Sequence, residues 1–218
     1  MKNALFIWIP RTAGTSVYFA LWKKAGAHKK KNKNLYRKFK NKGVVSFGHV
    51  GVSYLLRKEY ISREFFDSAY KFCFVRNPWD RLVSLYNYFS RNCNHVTANR
   101  TRARWGNKSF KDFCIKLDRQ WETINPVGRY NLKGVSQCNP QVDWILDDDG
   151  KVMPDFIGRF ENLEKDFQHI ANEMGIDMKL THKNKTKHKE YRYYYNPKTR
   201  DIVARLYKKD IDMFDYSF

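Results

Sequence analysis

The chain begins with a strand, a tight loop and a helix in immediate succession, and this order narrows the fold more than any other feature. Ala4 to Ile9 (Ala-Leu-Phe-Ile-Trp-Ile) is an unbroken apolar run rich in strand formers, and Pro10 ends it. Thr15 to Lys24 then reads as a helix, with Val17 and Leu21 on its apolar side. The same grammar recurs downstream. Val44 to Phe47 is a short strand ended by Gly48-His49, with a helix-like stretch from Gly51 to Tyr60. Tyr70 to Val75 is a third strand, closed by Arg76-Asn77-Pro78, and Pro78 suits the first turn of a helix reaching about Arg91. Leu82, Leu85, Tyr86 and Phe89 lie at helical spacing on it.

Further on, Ser109 to Leu117 reads as a short helix with Phe110, Phe113, Cys114 and Leu117 inward. Val142 to Leu146 and Asp155 to Phe160 flank Asp149-Gly150 and read as two strands joined by a turn. Asn162 stands where it would cap a helix to Met174, stopped by Gly175, and Asn196-Pro197 starts a last helix with Ile202, Val203 and Leu206 inward. Strands alternating with helices predict one three-layer α/β domain, residues 1–218, around a central, mainly parallel sheet.

Charge narrows the ligand. Lys and Arg number 42 against 22 Asp and Glu, a net charge of +20. Six Trp, 14 Tyr and 16 Phe supply a core, so this charge does not mean disorder. The first acidic residue is Glu59, and the stretch 26–43 reads as a basic loop. Such a field recruits anions. The apolar run at Ala4 is far too short to span a bilayer or form a signal-peptide core, and we expect a cytoplasmic protein. Cys73, Cys93, Cys114 and Cys138 form no CxxC pair, so no zinc site is expected.

Two loops carry the chemistry. Pro10-Arg-Thr-Ala-Gly-Thr-Ser16 joins the first strand to its helix. Small residues let such a backbone wrap an anion, and the helix start offers N–H groups and a positive dipole end. Thr12, Ala13, Gly14, Thr15 and Ser16 are the candidate cradle, with Arg11 as a fixed charge. An ordinary capped helix start would look the same. This is not a Gly-x4-Gly-Lys-Ser/Thr loop, because no Lys follows Gly14, and the third strand ends in Arg76 rather than a magnesium-holding Asp. In the second loop, Arg76 closes a strand and Ser84 follows eight residues later on the helix. An Arg fork with a hydroxyl suits a phosphate. An Arg76–Asp80 ion pair with Ser84 as a small packing residue suits the same letters.

Together these stretches closely resemble the sulfotransferases that use 3′-phosphoadenosine 5′-phosphosulfate as sulfuryl donor. Ile9 to Ser16 resembles the family's 5′-phosphosulfate loop, and Arg76 with Ser84 its 3′-phosphate motif. The likeness continues through Asp155-Phe-Ile-Gly-Arg-Phe-Glu-Asn-Leu-Glu-Lys-Asp166 and Leu206 to Tyr216, similar to the carbohydrate-type branch with the heparan 2-O- and chondroitin enzymes. The resemblance implies a P-loop-like α/β fold, the phosphosulfate donor as co-substrate, adenosine 3′,5′-bisphosphate as product, no metal, and a glycan hydroxyl as acceptor. It implies no stable nucleic-acid or membrane partner. Oligomeric state is not legible.

The family's loop carries Lys where this chain has Arg11. Arg cannot usefully give up a proton, so Arg11 reads as an electrostatic clamp on developing charge. His49 stands at a strand end where the resemblance places the catalytic His, and imidazole can take a hydroxyl's proton near neutral pH. Glu59 and Asp67 are the carboxylate rivals. Thr186 and Lys187 fall where the family lays a loop over the nucleotide. Residues 91–136, with Trp105, Trp121, Arg100, Arg102, Arg104 and Arg119, have the aromatic faces and charge for an anionic sugar, but plain packing is the favoured reading. Two other classes stay open: a nucleotide-dependent phosphotransferase, and a basic nucleic-acid-binding module.

Overall fold

The computed structural model describes residues 2–25, 28–29, 43–90, 109–124, 137–180 and 189–218. Strand β1 (Ala4–Ile7) passes through the Pro10 loop into α1 (Gly14–Ala25). Then come β2 (His28–Lys29), β3 (Val44–Ser46), α2 (Val52–Arg57), α3 (Arg63–Ser68), β4 (Tyr70–Val75) and α4 (Pro78–Ser90). The later elements are α5 (Phe110–Arg119), α6 (Trp121–Ile124), β5 (Phe156–Arg159), α7 (Leu163–Glu173), α8 (Pro197–Leu206) and α9 (Lys208–Phe214).

The strands form one sheet in the order β2-β3-β1-β4-β5, every neighbour parallel. Ile7 pairs with Cys73 and Val75 with Arg159, so the carboxyl ends of β1, β4 and β5 share one edge. Chain order runs to one side of β1 toward β3 and to the other toward β4. β1 is therefore the switch point, where an open α/β sheet leaves a crevice.

Both faces are buried. Leu5, Ile7, Val45, Cys73 and Val75 pack with Leu55, Phe65 and Phe66 of α2 and α3 and with Trp144. Ala4, Phe6, Val44, Phe72 and Phe74 pack against Val17 and Leu21 of α1 and Phe167 and Ile170 of α7. A third cluster joins α4, α5 and α8 through Leu82, Leu85, Phe113, Leu117 and Val203. This is the expected three-layer α/β architecture around a parallel sheet.

Four local expectations are corrected. Residues 142–146 are not a strand: Val142–Trp144 is a 3-10 turn, because the Val142 N–H donates to Asp210 Oδ1 at 3.0 Å and Trp144 sinks wholly into the core. The turn at Asp147 to Gly150 does form, with Gly150 at φ 79°, but it closes on a single antiparallel bridge, Leu146 to Val152, while β5 pairs in parallel with β4. Asn162 begins α7 by position only, without a side-chain cap. Within 26–43, expected as loop, His28–Lys29 adds an edge strand to β3. The helix expected around Gly51 to Tyr60 forms as Val52–Arg57, with Glu59 at φ 50° after it; α3 follows beyond that stretch, capped by Ser62, which accepts from Phe65 N. No helix among the described residues is long and apolar enough to cross a membrane.

Candidate active site

Four loops leave the carboxyl edge of the sheet: Trp8 to Ala13 after β1, Phe47 to Val50 after β3, Arg76 and Asn77 after β4, and Phe160 to Asn162 after β5. They wall a cavity of about 930 Å³, a size that takes a nucleotide.

The β1 loop is bent by two left-handed residues, Arg11 (φ 68°) and Ala13 (φ 64°). Each costs about 1–3 kcal/mol in a residue with a Cβ, and the curl turns successive N–H groups to one side, an anion-binding shape. Thr12 lies fully buried and braces the curl by donating Oγ1 to Ile9 O at 3.0 Å. Ser16 N and Val17 N both donate to Ala13 O, seating the first turn of α1. Gly14 is required by its neighbour rather than by φ: a Cβ there would stand 1.8 Å from Trp8 Nε1. Arg11, Ala13, Gly14, Thr15 and Ser16 line the cavity.

Arg11 donates Nε to Ser84 Oγ at 3.0 Å, and its guanidinium lies 5.0 Å from the centre of the Tyr88 ring. Ser84 and Tyr88 are one helical turn apart on α4, so one face of that helix holds Arg11. Ser84 is fully buried behind Arg11 and is not itself cavity wall. Arg76 does line the cavity. Its Nε donates to Asp80 Oδ2 at 2.8 Å, its Nη1 to Arg11 O at 3.3 Å, and its guanidinium stacks 3.9 Å from the centre of the Phe160 ring. The Arg76–Asp80 pair and the cavity position are thus both real. A guanidinium so held presents a fixed fork to an anion.

His49 lines the cavity from the β3 loop, in a left-handed conformation (φ 60°) after Gly48 (φ 53°). Its Nδ1 lies 3.1 Å from Trp8 O. A carbonyl oxygen only accepts, so Nδ1 carries the proton of the neutral ring and Nε2 carries the lone pair. Trp8 and Trp144 set the ring edge-on at 5.2 and 6.5 Å. Neither rival carboxylate lines the cavity. Glu59 is exposed beyond α2, and Asp67 is ion-paired to Arg63 on α3. Thr186, Lys187 and the residues named in 91–108 lie outside the described residues.

Sequence reasoning missed the cavity's aromatic and lysine walls: Trp8, Tyr88, Phe160, Tyr191, Lys165 and Lys189. Tyr88 was findable, being four residues beyond Ser84. Burial raises the Tyr191 phenol above its ordinary value, partly countered by Arg192, so it stays a neutral hydroxyl. Two guanidiniums, a curled N–H loop, hydroxyls and ring faces, set beside the carboxylates of Asp80, Glu161, Glu164 and Glu190, offer donors enough for a nucleotide carrying more than one phosphate-like group. Among the described residues no group of three or more His, Cys, Asp or Glu could hold a metal ion.

A model of the sulfotransferase family matches residues 2–217. An uncharacterized protein of Archaeoglobus fulgidus is 28% identical over 126 residues, covering 55% of this chain and 79% of that protein. The crystal structure of mouse sulfotransferase SULT7A1 complexed with PAP superposes with a TM-score of 0.60 at 13% identity, over 99% of this chain and 89% of that one. At that identity the likeness speaks for the fold.

Proposed function

The chain belongs to the sulfotransferase family, and from that premise we propose that it moves the sulfuryl group of 3′-phosphoadenosine 5′-phosphosulfate to a hydroxyl of a glycan acceptor by in-line transfer. The observation that carries the reading is the single cavity wall in which the curled β1 loop, Arg76 and His49 meet. When bound, the donor supplies an activated sulfuryl group whose departure leaves adenosine 3′,5′-bisphosphate.

The residues divide the work as follows. The loop from Thr12 to Ser16 holds the 5′ end through its N–H groups up to Thr15 and through the Thr15 and Ser16 hydroxyls, the Ser16 N–H being given to Ala13 O. Arg76 grips the 3′-phosphate, and Ser84 holds Arg11 beside it. Arg11 clamps the charge that gathers on the departing phosphate, which needs stabilisation more than protonation. His49 takes the acceptor proton on Nε2, the nitrogen left basic by the bond to Trp8 O. Thr186 and Lys187 are carried over from the family resemblance as further phosphate contacts. The net charge of +20 supports an anionic glycan.

Thermal denaturation with adenosine 3′,5′-bisphosphate, AMP and ATP–magnesium tests the donor site. At about 100 times its Kd a ligand adds roughly 2.7 kcal/mol, a rise of about 5–10 °C for a chain of this size. The rise is expected with the bisphosphate and lost in Arg76→Ala. A rise with ATP–magnesium alone overturns the reading and favours phosphoryl transfer. His49→Ala is expected to keep the bisphosphate shift while turnover falls on the order of 100- to 10,000-fold. Undiminished turnover would remove His49 from the proton path.

A further inference from the structure

The main chain of Arg76 is held by a side chain from far along the sequence. β4 ends at Val75, whose partner on β5 is Arg159, so Arg76 lies just past the ladder. Gln141, fully buried, takes over there. Its Oε1 accepts from Arg76 N at 2.9 Å and its Nε2 donates to Arg76 O at 2.8 Å. One amide satisfies both polar groups of one residue, as a neighbouring strand would.

The amide is itself held. Gln141 Nε2 also donates to Asp210 Oδ2 at 3.1 Å, and Asp210 Oδ1 accepts from Val142 N at 3.0 Å. Asp210, on α9, is fully buried. An amide between an N–H on one side and a carboxylate on the other has one satisfied orientation. Neighbouring bonds anchor the same segment. Arg81, buried on α4, donates to Asn139 O and Gln137 O, and to Pro10 O at the head of the β1 loop. Tyr207 donates its hydroxyl to Cys138 O at 2.8 Å. Residues 137–142 thus tie the C-terminal helices to both anion-binding loops.

We propose that Gln141 is a positioning residue for the 3′-phosphate: it fixes the Arg76 main chain from which the guanidinium reaches the cavity, and Asp210 fixes Gln141. The proposal rests on the reading of Arg76 as the 3′-phosphate ligand. Gln141 touches no ligand and acts through Arg76. A displacement of about 1 Å at such a group costs on the order of 100-fold where geometry governs. A merely structural role would weaken every nucleotide alike.

The test is calorimetric binding of adenosine 3′,5′-bisphosphate and of AMP, which lacks the 3′-phosphate. Gln141→Glu keeps the shape and the acceptor but loses both donations. Gln141→Met keeps the length without hydrogen bonds, and Asp210→Asn leaves Gln141 in place while altering the carboxylate that supports it and Val142 N. Each is compared with wild type and again in an Arg76→Ala background. We expect bisphosphate affinity to fall on the order of 10- to 100-fold in the Gln141 variants and less in Asp210→Asn, with AMP affinity unchanged. In the Arg76→Ala background the same substitutions add nothing. Equal losses for both ligands, or the same loss without Arg76, overturn the proposal. The underlying reading fails differently: Arg76→Ala would then leave the preference for the bisphosphate intact.

Discussion

At the scale of single residues, the site depends on contacts that side-chain chemistry alone does not announce. Gly14 resembles the usual glycine of an anion loop, but its own φ is not left-handed. What requires it is the indole of Trp8, nearly buried, whose ring atoms lie 1.8 to 2.6 Å from where a Cβ would be. Gly14→Ala must therefore push that indole off the loop, and His49, packed against Trp8, moves with it. Overpacking of this kind costs about 1–3 kcal/mol. Thermal denaturation should show that loss together with a weakened bisphosphate shift. Trp8→Leu in the same chain should restore most of both. An unaltered Gly14→Ala protein would mean that the indole is not seated on the loop. Arg76 and Asp80 were legible as a pair from their spacing on a helix start, and the pair is present at 2.8 Å. Trp8 was legible only as a strand residue, because its contact with Gly14 crosses a loop whose curl comes from two left-handed residues no propensity predicts. The sequence favoured His49 as base over Glu59 and Asp67, and of the three only His49 lines the cavity.

At the scale of elements, what is periodic was readable and what is tethered from afar was not. The strand Tyr70–Val75 and the helices from Pro78, Phe110, Leu163 and Pro197 follow from apolar spacing and local caps; α8 carries a full capping box between Asn196 and Thr199. The run from Val142 to Leu146 reads as a short apolar strand, yet Asp210, 68 residues away, takes its first N–H and folds it into a turn. That tether has its own pH signature. Burial pushes the Asp210 carboxyl up from 3.8 to about 6, against the pull of Arg81 on α4 and the donors at Gln141 and Val142. Tyr207 and Tyr216 also face it, and both phenols are raised by burial and by the Asp210 charge. The folded chain therefore binds this proton more tightly than the unfolded one. The stabilisation is fully present below the unfolded value near 4 and is lost as pH rises through about 6, a difference of about 3 kcal/mol. Asp210→Asn cannot titrate, so urea denaturation from about pH 4.5 to 7.5 should show the variant gaining on wild type by roughly 1–3 kcal/mol. Parallel curves would mean that Asp210 stays ionised throughout.

For the whole molecule, folding cannot hide the charge. With 22 carboxylates for 42 cations, the field stays positive however the side chains pair. Several carboxylates are spent on local surface pairs, such as Arg63 with Asp67 and Lys208 with Asp212, which neutralise only themselves. The cavity at the sheet edge gathers Arg11, Arg76, Lys165 and Lys189 beside Asp80, Glu161, Glu164 and Glu190, so the attraction comes from the molecule as a whole rather than from an excess of cations in its lining. Fold class was readable because the alternation of strands and helices runs along the whole chain, and charge, equally global, pointed to an anion. The acceptor was not, since its recognition belongs to side chains whose spacing repeats nothing. A field of this kind acts during approach, before any contact forms, and salt weakens it as the Debye length shrinks to about 8 Å at physiological ionic strength. Trp8 lines the cavity and provides a fluorescent reporter for stopped-flow mixing. Raising sodium chloride from about 50 to 300 mM should slow bisphosphate association roughly 10-fold while dissociation changes little. AMP, with fewer charges, should slow less. If salt instead speeds dissociation and leaves association alone, the contacts at Arg11 and Arg76 carry the whole electrostatic effect, and the excess charge serves the acceptor or nothing at this site.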